Sequence, residues 1–167
     1  MNPGIDFFHL PSYSSAWSVP GSHIARRVCP ELELSIVPGL AWSLKEAAWK
    51  SLPDAEQTQR FHPSQFQILS WQNQVARLEC SSSHREILVH GLATHQGFLS
   101  FYVPFGYGIF SSRPTIQMSL SNGRPLLSLF QKTYPISISH DGPYVFSVCP
   151  LELPNGSTES PNRFHYF

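Results

Sequence analysis

REILVHGLATHQGFLSFYVPFGYGIFSSRPTIQMSLSNGRPLLSLFQ, residues 85–131, holds most of the β-forming residues of the chain and its clearest turn. Asn122-Gly123 is a strong hairpin signal, because a type I′ turn needs two successive residues that tolerate positive φ. Taken as a two-residue loop, it sets Ser121 opposite Arg124, Leu120 opposite Pro125, Met118 opposite Leu127 and Ile116 opposite Leu129. The other face carries Ser119 with Leu126 and Gln117 with Ser128. One face is apolar and the other mainly polar, as a half-buried antiparallel pair requires. Pro125 cannot donate a ladder hydrogen bond, so its strand belongs at an edge or turns that nitrogen outward.

Upstream of this hairpin, residues 86–93 set Ile87, Val89, Gly91 and Ala93 against Glu86, Leu88, His90 and Leu92. Both faces are fairly apolar, which fits a central strand. Residues 94–97 make a turn into a second strand over 98–105, and Phe105-Gly106-Tyr107-Gly108 reads as a glycine-spaced aromatic turn. That turn lacks the dinucleotide-binding pattern, and close backbone packing under an aromatic ring accounts for its glycines. A further hairpin is expected over 134–148. With His140-Asp141-Gly142 as a three-residue loop, Ile138 faces Tyr144, Ile136 faces Phe146 and Tyr134 faces Val148, leaving Ser137 and Ser139 on the polar face.

The first half of the chain reads differently. Residues 1–39 form a Pro- and Ser-rich arm, irregular because Pro3, Pro11, Pro20, Pro30 and Pro38 recur through it. Its aromatics Phe7, Phe8, Tyr13 and Trp17 are suited to packing on the sheet, and 31–37 alternates like a short strand. Residues 40–52 predict a helix, with Ala41, Leu44, Ala48 and Leu52 on one stripe and Trp42 and Trp49 widening it. A second helix is expected from Pro53, ending before Pro63. Over 64–78 the spacing of Ile68, Trp71, Val75 and Leu78 predicts a third helix, although Phe66-Gln67-Ile68 alternates like a strand. The fold class expected is therefore α+β: an irregular N-terminal arm (1–39), a helical segment (40–80), a mainly antiparallel β-rich core (81–150) and a polar tail (151–167), all in a single domain.

Composition narrows the function classes. The 167 residues carry only 13% charged side chains and a net charge of zero, against about 25% charged in an average domain. No long-range field draws nucleic acid or an anionic membrane, and solubility near neutral pH is expected to be low. The segment Trp49-Lys50-Ser51-Leu52, followed by Glu56 and Phe61, is similar to the W-K-x-L…E…F/Y stretch of high-mobility-group DNA-binding boxes. Its aromatic is one residue too far along and the basic N-terminal strand of those boxes has no counterpart, so no nucleic-acid partner is expected. The N-terminus lacks the basic and apolar regions of a secretory signal, and no apolar run reaches the ~20 residues of a membrane span, so the default expectation is an intracellular protein. Cys29, Cys80 and Cys149 are widely spaced and odd in number, as suits reduced, buried thiols, with a single disulfide as the alternative.

The candidate chemical groups are His90, His95, His140 and Asp141, all at strand ends or turns. His90, His95 and Asp141 are the only set that suggests metal ligation, but no H-E-x-x-H pattern or compact cluster accompanies them. No serine sits in a G-x-S-x-G elbow. These residues, like Arg85, Arg113, Arg124 and the pair Arg26-Arg27, read as turn or surface groups. No catalytic, cofactor-binding or metal site is assigned and no cofactor is expected. The function expected is that of a non-enzymatic β-rich interaction module, its unknown partner held by an edge strand or by an aromatic surface around Phe101, Tyr102, Phe105 and Tyr107. One alternative is an orphan or poorly constrained reading-frame product with no evolved biochemical role, suggested by the low charge and scattered proline. The other is a histidine-based hydrolase or metal-assisted enzyme.

Overall fold

A computed structural model describes residues 1–28, 36–57, 60–102, 107–111, 118–121, 124–129, 132–142 and 144–150. Its centre is a helix over Pro38–Ser51, α2, preceded by the single turn α1 at Ala25–Val28. Pro38 opens α2, where its fixed φ suits the helix and its missing N–H costs nothing. The stripe predicted for 40–52 is the buried one: Ala41, Leu44, Ala48 and Leu52 all have 2% exposure or less. Lys45 lies among them, fully buried, and its Nζ donates to the Val28 carbonyl at the end of α1 at 2.8 Å.

Against α2 lies a five-stranded antiparallel sheet built from β1 (Gly4–His9), β2 (Phe66–Gln72), β3 (Val75–Cys80), β4 (Arg85–Ala93) and β5 (Gly97–Tyr102). The order is β1-β5-β4-β3-β2, so the last four strands form a meander and the first strand closes it beside β5. The central strand expected over 86–93 is β4, with Ile87 and Val89 buried under α2 and Leu88 exposed on the opposite face.

Three expectations fail here for physical reasons. The arm over 1–39 is not irregular throughout, because Gly4–His9 is a strand with all six residues buried. Pro3 and Pro11 bracket this segment without entering it, so proline costs it no ladder hydrogen bond. Gly4 is required at its start: a Cβ there would overlap the Ala47 carbonyl of α2. The helix expected over 64–78 is instead the hairpin β2–β3, turning at Asn73 and Gln74, whose φ values of 50° and 63° match a type I′ turn. A bulge between Ile68 and Ser70 shifts the alternation of β2, so that Phe66, Ile68 and then Trp71 face the core. That two-then-three spacing imitates a helical stripe. The second helix expected from Pro53 is a single turn closed by Glu56 and Gln57 amides on the Pro53 carbonyl.

A second set of strands comprises β6 (Tyr107–Ser111), β7 (Met118–Ser121), β8 (Arg124–Leu129), β9 (Lys132–Pro135), β10 (Ser137–Asp141) and β11 (Tyr144–Pro150), in two three-stranded sheets ordered β10-β11-β6 and β7-β8-β9. It meets the other face of β1 through β10 and β11. The hairpin around residue 122 has the predicted register, with Ser121 opposite Arg124, Leu120 opposite Pro125, Ser119 opposite Leu126 and Met118 opposite Leu127. Its turn residues Asn122 and Gly123, and the pairs made by Ile116 and Gln117, lie outside the described residues. Tyr107 and Gly108, expected in a turn, begin β6, while Phe105 and Gly106 also lie outside. So do the proposed strand positions 31–35 and the tail over 151–167.

The hairpin expected over 134–148 exists with a different register. Tyr134 belongs to β9 and pairs with Leu127, and β10 begins at Ser137. Tyr144 is opposite Asp141 rather than Ile138, and Val148 is opposite Ser137. An odd displacement of this kind exchanges the two faces of a strand. Ser137 and Ser139, expected in solvent, are buried at 8% and 4% exposure. The fold class is α+β as expected, with apolar packing on both faces of β1. Phe8 joins the layer under α2, while Ile5 and Phe7 join Leu99, Phe101 and Val148 on the other side.

Candidate functional site

The register of β10 creates the most distinctive polar arrangement in the molecule. Strand β1 is an edge of its sheet, and an edge leaves every second N–H without a ladder partner. The amides of Ile5, Phe7 and His9 instead donate to Ser137 Oγ at 3.1 Å, Ser139 Oγ at 2.9 Å and Asp141 Oδ2 at 2.9 Å. Side chains at every second residue of β10 thus take the place of a sixth strand.

Between these rungs the Asp6 side chain meets α2. Trp42, Glu46 and Lys50 are spaced four apart and share one helical face. Trp42 Nε1 donates to Glu46 Oε2 at 2.8 Å, and Lys50 Nζ contacts Glu46 Oε1 at 3.1 Å and Asp6 Oδ1 at 3.0 Å. Ser139 Oγ donates to the same Asp6 oxygen at 3.0 Å while accepting from the Phe7 amide. A hydroxyl can do both at once. The chain from indole to strand edge is therefore continuous: Trp42, Glu46, Lys50, Asp6, Ser139.

Burial pushes the Asp6 carboxyl up to about 6, against the pull of Lys50. Burial would lower Lys50, but the charges of Asp6 and Glu46 outweigh it and hold the ammonium above its ordinary value. The asymmetry is physical: Lys50 faces two carboxylates, whereas Asp6 faces one ammonium and the repulsion of Glu46. These residues line a cleft of about 440 Å³ between β1, α2 and β10, completed by Tyr13, Phe7, Phe8, His140 and Asp141. Tyr13 stacks on Phe8 with ring centroids 4.3 Å apart, and burial together with Asp141 pushes its hydroxyl up to about 12. A shallower neighbour of about 390 Å³ shares Lys50 and runs along Pro3, Asp54, Gln57 and Ile136.

No protein-family model, curated protein or solved structure matches this chain. The site is accordingly read from its own geometry.

That geometry redistributes the residues singled out from the sequence. His90 stacks on Phe101 at 5.3 Å, half-buried, with its pKa pushed down by burial. His95 sits in the turn between β4 and β5, and His140 and Asp141 end β10. Among the described residues, no three His, Cys, Asp or Glu side chains gather as a metal site. Of the expected aromatic surface, Phe101 is fully buried and Tyr102 packs against the core, while Phe105 and the side chain of Tyr107 lie outside what is described. Arg85 bonds Glu56 at 2.7 Å, which holds the Glu56 carboxyl below its usual range. Cys80 is buried beside Ser82, and its bonds to Ser82 and Ser83 outweigh burial and lower the thiol. Trp49 and Phe61, the pair in the DNA-binding-box lookalike, pack on each other at 5.9 Å on the flank of the core. Among the described residues no helix is long and apolar enough to cross a membrane.

Asp6, Tyr13, Glu46, Lys50 and Ser139 were not among the candidate chemical groups found in the sequence. The one local signal was the four-residue spacing of Trp42, Glu46 and Lys50. Ser139 and Asp6 are 133 positions apart and meet only through the fold.

Proposed function

We propose that this protein is a non-enzymatic interaction module and that the cleft between β1, α2 and β10 is where it takes a small polar ligand. The observation that carries this reading is the state of Asp6. Its residue is only 4% exposed, it lines the cleft, and both of its hydrogen bonds fall on Oδ1. Among the described residues no group donates to Oδ2, which leaves one acceptor of a desolvated carboxylate for a ligand. A charge-assisted hydrogen bond to a carboxylate held in a mostly buried setting is stronger than one at the surface, so a ligand that supplies a donor gains more there.

The dimensions suit the reading, since small-molecule sites commonly span about 300–1,000 Å³ with aromatic walls and a few placed polar groups. The expected edge-strand mode is less well supported at β1, whose outer amides are already taken by Ser137, Ser139 and Asp141. The opposite edge, β2, carries a bulge, a feature that discourages strand addition. Binding rather than catalysis is favoured because Ser139, the hydroxyl nearest the cleft's carboxylate, is committed in both directions to Asp6 and Phe7.

The test is a fragment screen by amide and indole NMR on the full chain. Saturable shifts clustered on Trp42, Tyr13, Asp6 and Ser139 are expected for at least one chemical class. A screen in which no class moves those signals would reduce the cleft to a joint between two layers.

A further inference from the structure

We propose that the ligand of this cleft is a small primary alkylammonium, its N–H donors directed to the Asp6 and Glu46 carboxylates and its carbons lying against Tyr13 and Trp42. The proposal rests on the reading of the cleft as a binding site and adds the class of molecule that enters it.

Charge is the first reason. The lining includes three carboxylates, Asp6, Glu46 and Asp141, against one ammonium, Lys50. An anionic ligand would meet uncompensated negative charge, and a cation would relieve it. Chemistry already present in the cleft is the second reason. Lys50 is itself an alkylammonium, held between Asp6 and Glu46 at 3.0 and 3.1 Å. Lys50 fills the position between the two carboxylates and shows that they take an alkylammonium, and Asp6 Oδ2, to which no described residue donates, offers a further acceptor beside it.

The walls supply the third reason. Alkylammonium ions gain from the negative face of an aromatic ring as well as from carboxylates. Tyr13 is fixed by stacking on Phe8, with Trp17 tilted against it at 5.6 Å. Trp42 is fixed by its bond to Glu46 and by edge contacts with Trp17 and Phe61 at 5.8 and 5.2 Å. Rings held in this way lose little freedom on binding, which lowers the cost of association.

Protonation of Asp6 removes one of the negative charges, so affinity falls as the medium is acidified through about pH 6. The groups that face Asp6 in this titration are Glu46 and Lys50 from α2, Ser139, His140 and Asp141 from β10, and Tyr13 from the segment after β1.

The experiment is an NMR titration of the full chain with n-butylammonium chloride, 1-butanol and sodium butyrate in parallel, following the Trp42 indole and the Asp6 and Ser139 amides. Butylammonium should give saturable shifts in the millimolar range that weaken about tenfold with Glu46→Gln, the equivalent of one charge-assisted contact. Glu46 is partly exposed and its amide counterpart can still accept from Trp42, so this variant keeps the test open if Asp6→Asn does not fold. Tighter binding of butanol or butyrate at the same residues would overturn the cation assignment and leave the cleft a binding site. No saturable shift with any of the three, and none in the broader screen, would remove both. Butylammonium binding that is unchanged by Glu46→Gln and by acidification would also overturn the assignment.

Discussion

Replacing Ser139 with alanine removes one oxygen and breaks two bonds. The Phe7 amide, now paired with Ser139 Oγ at 2.9 Å, becomes a buried donor with no acceptor, and Asp6 Oδ1 loses a donor at 3.0 Å. An orphaned buried donor costs about 1–3 kcal/mol, and a hydrogen bond to a charged group contributes about 1.5–3 kcal/mol. The two effects share one atom and will not add in full. A loss of about 2–4 kcal/mol is therefore expected for Ser139→Ala. Ser137→Ala, which orphans only the Ile5 amide, should cost about 1–2 kcal/mol. Ser18→Ala, at an exposed serine bonded to the Ser15 carbonyl, should stay within about 0.5 kcal/mol. Urea unfolding followed by tryptophan fluorescence gives these differences, and hydrogen exchange at the Phe7 amide should accelerate in Ser139→Ala. In the register with a three-residue loop, Ser139 would face solvent and its removal would go unnoticed. A loss below about 0.5 kcal/mol at constant m value would thus refute the docking of β10 on β1. A broad, non-cooperative transition in the unaltered chain would instead favour the reading of a poorly constrained product.

Three further outcomes are expected. Asp6 is raised from 3.8 to about 6 in the folded chain; its contribution is thus fully present below about pH 4 and is lost as pH rises through about 6. The unfolding free energy of the native chain, measured against Asp6→Asn, should gain on acidification from about pH 7 to about pH 4, by at most about 3 kcal/mol; a gap that narrows would contradict the burial of Asp6. Gly4→Ala should cost about 3 kcal/mol in the same assay, since the added Cβ meets helix backbone that cannot move aside, and a neutral result would mean that β1 does not lie against α2. Leu78→Ala should lose about 2–5 kcal/mol because Leu78 is fully buried on β3, whereas Leu88→Ala, on the solvent face of β4, should be close to neutral; equal losses would argue against the meander.

What the sequence made legible follows the range of the interactions. The 118–127 register was readable because Asn122-Gly123 and two-residue alternation agree within about ten residues. Helix 40–52 was readable because its apolar stripe is continuous. Strand β2 was hidden by its bulge, which replaced a two-residue period by one that resembles a helix. Strand β1 was hidden by composition, because the prolines around it weighed more than the six residues between them. The 134–148 hairpin was found without its register, since the choice between a longer loop and a tight turn at Gly142 decides which face is buried. The candidate site suffered most from that choice. Ser137 and Ser139 looked like solvent-facing serines, and nothing near them in sequence names β1 as their partner.

The capped edge of β1 also has a consequence for synthesis. Its three acceptors come 132 positions after the amides they cap. At a translation rate of about 5–20 residues per second, roughly 7–26 s separate the appearance of donor and acceptor. During that interval both sides of an apolar strand are open, since β5, its other neighbour, is also made much later. Contacts this distant in sequence slow folding and prolong exposure to other chains. Recovery of this protein from a cell is thus set by how well those six residues are shielded on the ribosome, and a chaperone that holds an early apolar segment should raise the yield without altering the finished fold.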